Sequence, residues 1–469
     1  MATSMATSVS GYLPNDRPEP VRLVLLGLQH VITMFPATVL VALLCGFHPS
    51  TVLLGAGVST IVALVLSKRG IGMFIPLFYG SSFSYIAAYL GVAQAMGHKV
   101  QFGVPAPDEV ISLMQAGIIC TGFLNVIVGF VIKKLGKAKL DRVLPPVVTG
   151  SVACVIGFGL AKAALDMSLT VVPGYWGIAL VTLIATVAFS YLLQGKGFIG
   201  MLPILLGAIV GYVLTLVVAP DQISFARVAA APLVSAPHVT LPSFSGPLLA
   251  TAIFSISIMA LATIPESTAH LYQMSLYVDR LAEEQGRPKY HLDRHVGFNL
   301  ILDGIGDVLH GLFGATAGTN YGENNSLMAI TRNYSGPALL AAGVICILLA
   351  FVGKLSAFVA TIPVFVSGGL ALYLFGVIGM QGIALMQEAK VNMFDPLQLA
   401  VGATIMVIGI GGNIGYPGGF LPIAIPGIFP QGLPAIATSA VVGILMYVIF
   451  SALKREPATR DAASVAPMP

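Results

Sequence analysis

Few residues in this chain can do chemistry, and they fall in two places. Glu323 stands in the string Thr319-Asn320-Tyr321-Gly322-Glu323-Asn324-Asn325, and Glu266 precedes His270 by four residues. On a helix that spacing puts Glu266 and His270 on one face. Both places lie in otherwise apolar surroundings, where a carboxylate is costly unless it faces a packed interior or a wet cavity. A carboxylate accepts ring or amide N–H bonds well, and an imidazole titrates near neutral pH. Two acids and a histidine, without a run of metal ligands, point to a site for a small polar solute and a proton. Glu266 and His270 are the expected proton-handling pair. His30, after Gln29, is a weaker member, equally suited to a structural hydrogen bond with the third or tenth span.

Two segments are too interrupted to be ordinary spans: 72–92, containing Tyr79-Gly80-Ser81-Ser82-Phe83-Ser84, and 316–333, containing Glu323. Broken backbone inside a membrane leaves N–H groups free for a ligand or a protein partner. Half-helices beginning near Phe83 and at Gly322 would turn their positive ends to the break. The N–H groups of Phe83 and Gly322 can then meet carbonyl oxygens of a solute, with Ser81 and Ser82 lining the hollow or capping the turn. Phe83, Tyr321 and Phe375 can stack on a planar ring. Asp303, Asp307 and His310 lie at helical spacing, Asp303 and Asp307 on one face; they could form a second ionisable cluster, but the structural reading is preferred, at a water-exposed helix end or paired with Arg294 or Arg332.

The elements that must hold these residues are membrane spans. The chain has 469 residues, 57% hydrophobic and 9% charged, against about 25% charged in a soluble domain. Apolar runs of roughly 20 residues, long enough to cross a bilayer, fall near 21–46, 50–67, 109–133, 146–164, 174–194, 198–219, 246–273, 296–315, 335–359, 362–388, 395–411 and 434–453. The two interrupted segments bring the total to about fourteen. They are the third and the tenth, equivalent places in two halves of seven that split near residue 230. An odd number of spans per half inverts the second half. Interrupted segments at matching positions of inverted halves mark a transporter's binding site. With the N-terminus inside, every lysine and arginine falls on an inside segment except Lys99, Lys162, Arg227 and Lys354, as positive-inside placement requires. Both termini are then cytoplasmic.

Other classes are not supported. There is no phosphate loop, no Gly-x-Ser-x-Gly or Cys/His nucleophile, and no His/Cys or Asp-rich metal motif. No enzyme, cofactor or metal is expected. A net charge of +4 says nothing of nucleic acid, which is not an expected partner. The four cysteines, all in apolar runs, read as buried thiols. No removable leader is evident in the polar first twenty residues.

An ordered set of strings carries a resemblance: Leu28-Gln29-His30 with Met34-Phe35-Pro36-Ala37-Thr38-Val39-Leu40; Gly80-Ser81-Ser82-Phe83; Glu266 with His270; Tyr321-Gly322-Glu323-Asn324 leading to Met328-Ala329-Ile330-Thr331-Arg332; and Phe375-Gly376-Val377-Ile378-Gly379. From about Val21 to Leu453 the chain resembles the nucleobase–ascorbate transporter (nucleobase:cation symporter 2) family, in its bacterial uracil and xanthine permease branch. The resemblance implies an all-α polytopic fold of fourteen segments in two inverted repeats, with short β-strands in the third and tenth. Its core domain would be 21–140 (spans one to four) and 240–360 (spans eight to eleven). Its gate domain would be 141–230 (spans five to seven) and 361–453 (spans twelve to fourteen), with cytoplasmic tails 1–20 and 454–469. Glu266 and Glu323 would hold the base and the backbone of Phe83 and Gly322 would complete its hydrogen bonds. Ala37, Ser82, Tyr321 and Phe375 would line the site, and His270 would tune Glu266. Protons would drive uptake by alternating access across the bacterial cytoplasmic membrane, and a homodimer would form through the gate.

Glu323-Asn324 favours uracil among the bases. A purine such as xanthine is the alternative, and an anion exchanger or channel of this general architecture a lower one. Two departures stand out: Ser326 replaces a usual glycine, and Phe375 replaces a tyrosine found in some uracil carriers.

Overall fold

The computed structural model describes residues 11–136, 145–169, 172–194, 196, 199–200, 202–426 and 428–453. Residues 1–10, the expected tail 454–469 and the expected core–gate join at 140–141 lie outside them.

Prolines and glycines punctuate the spans. Helices α1 (Pro20–Cys45) and α2 (Pro49–Ile71) each open on a proline, whose missing N–H would have had no acceptor in the first turn. Each stops at a glycine in the left-handed region, Gly46 at φ 73° and Gly72 at φ 76°. The third segment is strand β1 (Tyr79–Ser81), a 3-10 turn Phe83–Tyr85 and α3 (Ile86–Ala95). Then come α4 (Asp108–Leu135), α5 (Pro146–Gly159), α6 (Ala161–Leu169), α7 (Trp176–Leu192), α8 (Pro203–Val218) and short α9 (Ala226–Ala230). After an extended stretch the second half continues with α10 (Leu249–Ser257), α11 (Ala260–Glu284) and α12 (Val296–Phe313). The tenth segment is β2 (Gly318–Asn320) followed by α13 (Gly322–Thr331). The remainder is α14 (Gly336–Ala350), α15 (Gly353–Val359), α16 (Val364–Glu388), α17 (Pro396–Met406), a π-helical turn Val407–Gly411, α18 (Gly412–Gly415), the short pair β3 (Phe420–Leu421) and β4 (Leu433–Pro434), and α19 (Ala435–Leu453).

Among the described residues, nine helical stretches are long and apolar enough to span a membrane, and α7, α8 and α14 are shorter apolar helices. The two strand-and-half-helix segments complete fourteen. The fifth expected span is longer than its apolar run and breaks at Leu160. The eighth breaks after Ser257 and runs on to Glu284, beyond the expected end at 273.

The segments pack as two groups. In one, α12 lies against α4 and α2, α14 against α1 and α2, and α10 against α4. In the other, α16 lies against α5, α6 and α7, and α17 and α19 pack on each other and on α5. Between α4 and α12 the approach is set by glycine: a Cβ added to Gly129 or to Gly297 would sit 2.6 Å from the other's carbonyl oxygen. Small residues allow this backbone-to-backbone contact where no hydrophobic force separates helix from lipid.

Strands β1 and β2 meet antiparallel inside the first group, with Tyr79 opposite Asn320, Gly80 opposite Thr319 and Ser81 opposite Gly318. Tyr321 N–H to Phe78 O (2.9 Å) and Ser82 N–H to Ala317 O (3.0 Å) extend the ladder at both ends. Two broken segments thus satisfy each other's backbone groups, which hydrocarbon would leave unmet.

Residues 11–19 are a strap rather than a loose tail. Tyr12 N–H donates to Arg332 O (3.0 Å), Tyr334 N–H to Tyr12 O (2.8 Å) and Gly336 N–H to Pro14 O (2.9 Å). Leu13 is fully buried, and Arg287 holds Asp16 through Nη1 at 2.7 and 2.8 Å. The described chain carries no disulfide; Cys45, Cys154 and Cys346 are buried, while Cys120 is half-buried.

Candidate functional site

Glu266 follows Pro265 in the interior of α11. Proline removes one helical N–H, so the backbone beside the acid is already loosened. Glu323 sits in the first turn of α13, where the positive end of the half-helix favours a carboxylate. The two acids come from different segments, near enough that Glu266 feels the charge of His270 and, less strongly, that of Glu323. Among the described residues neither carboxylate has a hydrogen-bond donor. Phe83, Glu266, His270, Gly322 and Glu323 are all half-buried.

His270 is held by the tenth segment. Its Nδ1 faces two oxygens of Asn320, the backbone carbonyl at 3.0 Å and Oδ1 at 2.8 Å. Two acceptors oblige Nδ1 to carry a proton. Nε2 is the ring's other nitrogen and meets no hydrogen-bond partner among the described residues. That atom lies against Gly322, where an added Cβ would be 2.9 Å away. One imidazole thus touches the start of the half-helix that bears Glu323.

Phe83 and Gly322 each open a helical turn, and neither N–H meets a backbone acceptor among the described residues. Ser82 caps the Phe83 turn, its Oγ accepting from Ser84 N–H at 3.3 Å. Tyr321 is buried; its hydroxyl shares a hydrogen bond with Thr38 Oγ1 (2.7 Å) and its ring lies parallel to Phe78 at 6.4 Å. The tyrosine is a fixed wall. Gly80 makes room for it, since a Cβ there would be 2.8 Å from the hydroxyl. Ala37 is buried in α1. Phe375 lies on α16 of the second group, yet belongs to the same buried cluster as Tyr85 of the third segment and Ala262 of α11, against which Phe83 packs. His30 is buried and goes to Asn324, whose Nδ2 donates to His30 O (3.2 Å) and Nδ1 (3.1 Å). The structure therefore ties His30 to the tenth segment by a hydrogen bond. Ser326, where a glycine was the usual residue, is exposed, so no close packing is disturbed.

Residue patterns missed a buried polar network behind this site. Asp303, Asp307 and His310 are all buried, not at a wet helix end. Their expected partner Arg332 pairs with Glu284 instead. Asp307 pins β2, accepting Gly318 N–H at 2.7 Å and Asn125 Nδ2 at 3.0 Å, and His310 Nε2 meets Ser59 Oγ at 3.0 Å. Asp303 accepts a short hydrogen bond from Ser267 Oγ. Ser267 accepts in turn from Asn299 Nδ2 and Asn320 Nδ2, each at 2.7 Å. Asp303 is thereby linked through Ser267 and Asn320 to His270. The available signal was the helical spacing of Asn299, Asp303 and Asp307 on one face of α12; Ser267 had none.

A paired-strand break inside fourteen spans, beside two acids that meet no hydrogen-bond donor and two N–H groups that meet no backbone acceptor among the described residues, is the arrangement of a membrane transporter. The sequence model of the Permease family matches residues 21–417. The chain is 33% identical over 442 residues to the uracil permease of Bacillus caldolyticus, covering 92% of this chain and 93% of that one. It is 33% identical over 470 residues to the uracil permease of Escherichia coli strain K12, covering 96% of each. It is 30% identical over 420 residues to the putative pyrimidine permease RutG of the same strain, covering 89% of each.

Among solved structures, the transmembrane domain of a cyanobacterium bicarbonate transporter, BicA, superposes with TM-score 0.57 at 14% identity, over 93% of this chain and 99% of that one. The murine anion transporter Slc26a9 in its inward-facing state gives TM-score 0.62 at 14% identity, over 94% of this chain and 69% of that one. These two share the fold alone. The chain belongs to the permease family that its residue strings resemble, the nucleobase–ascorbate transporters.

Proposed function

We propose that this protein is a proton-coupled uptake carrier for a nucleobase, uracil foremost, working by alternating access in a bacterial cytoplasmic membrane with both termini inside. One observation carries the reading: among the described residues Glu266 and Glu323 have no hydrogen-bond donor, and the N–H groups of Phe83 and Gly322 have no backbone acceptor. A pyrimidine dione presents two ring N–H donors and two carbonyl acceptors, the mirror of that set. The names of the relatives agree with it.

In this reading the two carboxylates take the ring N–H groups and the two backbone N–H groups take the carbonyls. Phe83 and Phe375 enclose the ring faces, with Tyr321, Ser82 and Ala37 as walls. A proton shared between Glu266 and His270 Nε2 removes the repulsion of two adjacent acids and favours loading; its loss on the cytoplasmic side favours release. Residues 21–140 and 240–360 would move as the core against a gate of 141–230 and 361–453. The gate would also form the homodimer contact, which light scattering of the purified protein checks. Two acids at the site disfavour an anion, despite the fold shared with anion carriers.

The test is uptake into proteoliposomes under an imposed pH gradient, with labelled uracil, thymine and xanthine in parallel. Gradient-driven uracil accumulation that excess unlabelled xanthine leaves intact is expected. Preferential xanthine uptake, or accumulation indifferent to the gradient, overturns the assignment.

A further inference from the structure

At the end of α1 remote from the N-terminal strap, three side chains from distant parts of the chain meet. His48 immediately precedes α2, Asp108 is the first residue of α4, and His238 lies in the extended stretch before α10. His238 Nε2 faces both oxygens of Asp108, at 2.9 and 3.1 Å. The His48 ring lies beside the His238 ring with centroids 4.3 Å apart. One nitrogen or oxygen from each of the three falls within 4.8 Å of the other two.

The backbone under each is fixed. Each residue adjoins a proline, in His48-Pro49, Pro107-Asp108 and Pro237-His238, which restricts the local dihedrals. Ala106 N–H donates to Gly46 O at 2.7 Å, joining the first two ligand segments. Thr51 Oγ1 donates to His238 O at 2.5 Å. Gln115 Nε2 donates to Thr240 O and Thr240 Oγ1 to Gln115 Oε1, both at 2.8 Å. The His48 side chain makes no hydrogen bond among the described residues; it sits beside a second imidazole and within 4.8 Å of a carboxylate oxygen.

We propose that His48, Asp108 and His238 form a binding site for a divalent transition-metal ion, with zinc the best chemical match. Two imidazoles and one carboxylate are a common nitrogen–oxygen donor set for zinc, with bonds of about 2.0–2.2 Å. Reaching it takes side-chain adjustment only: the His238–Asp108 contact opens by a few tenths of an ångström and the His48 nitrogen closes in. The half-buried His48 and the exposed Asp108 and His238 leave the remaining position to water. All three segments belong to the first helix group, so the ion ties the extended stretch to the starts of α2 and α4 without bridging the two groups. It stabilises one rigid unit. No sequence motif joins residues so far apart, so local spacing does not reveal the site.

A second cluster, Asp279, His291 and Asp293, is already occupied by its own loop: Asp279 accepts Tyr290 N–H at 2.6 Å and His291 N–H at 3.1 Å, and Asp293 accepts Ser275 Oγ at 3.0 Å. It serves as the control.

The experiment is calorimetric titration of the full-length, tag-free protein in detergent with zinc chloride, together with thermal unfolding with and without zinc. One tight site per chain and a rise in Tm reversed by chelator are expected. His48→Ala, which removes no hydrogen bond and so preserves the fold, weakens zinc binding at least about tenfold and removes the Tm rise. His238→Ala does the same, and His291→Ala leaves both unchanged. No zinc binding by the native protein, or binding and a Tm rise that persist in the His48→Ala/His238→Ala double variant, overturns the proposal.

Discussion

Gly322→Ala puts the site geometry under a direct test. The new methyl would lie 2.9 Å from His270 Nε2, well inside ordinary carbon–nitrogen contact. His270 cannot simply swing away, because Nδ1 is held by two oxygens of Asn320 at 2.8 and 3.0 Å. Either the ring gives up those hydrogen bonds, at roughly 0.5–1.5 kcal/mol each, or the half-helix carrying Glu323 shifts, an overpacking cost of about 1–3 kcal/mol. Both routes converge on about 1–3 kcal/mol, which lowers affinity by up to about 150-fold when the bound geometry bears the cost. The measurement is the calorimetric Kd for uracil, made in a double-mutant cycle with His270→Ala. Removing the imidazole removes the obstacle, so Gly322→Ala should cost much less in that background. Unaltered uracil affinity in Gly322→Ala, or equal losses with and without His270, would refute the placement of that imidazole against the half-helix.

Three further outcomes follow from the same contacts. Glu323→Gln should abolish high-affinity uracil binding while leaving Tm near that of the parent, since no described residue donates to the carboxylate; wild-type affinity in radioligand binding would remove Glu323 from the site. Ser267→Ala strips the bridging hydroxyl from two amides and a carboxylate, each costing about 1–3 kcal/mol when left buried and unpaired. A lowered Tm, followed with a thiol-reactive dye, is expected, and an unchanged one argues against the network. Gly129→Leu drives a side chain into the backbone of α12 at Gly297, which cannot yield; loss of about 3 kcal/mol or more should show as aggregation in fluorescence-detected size exclusion, and a monodisperse peak would contradict the close crossing.

Local composition alone determined a good deal of this protein. Span length and hydropathy set the count of crossings, because taking charge and unpaired backbone into hydrocarbon is penalised residue by residue. The same penalty made Glu266, His270 and Glu323 conspicuous, and the four-residue spacing on α11 placed the first two together without any tertiary information. Gly-Ser-Ser and Tyr-Gly-Glu marked both breaks.

What only the tertiary structure decided was which polar groups meet. Inside a membrane the lipid-facing and protein-facing sides of a helix are both apolar, so sequence pattern does not report how a helix is rotated about its axis. Hence Asp303 turned out to face Ser267 and Asn320 rather than an arginine, Tyr321 to be pinned by Thr38, and residues 11–19 to strap the tenth segment. The register of Tyr79 on Asn320, the approach of Glu266 to Glu323, and the meeting of His48, Asp108 and His238 all join residues far apart in the chain. Such contacts are set by how whole helices cross, as at Gly129 and Gly297, and no local rule carries that information.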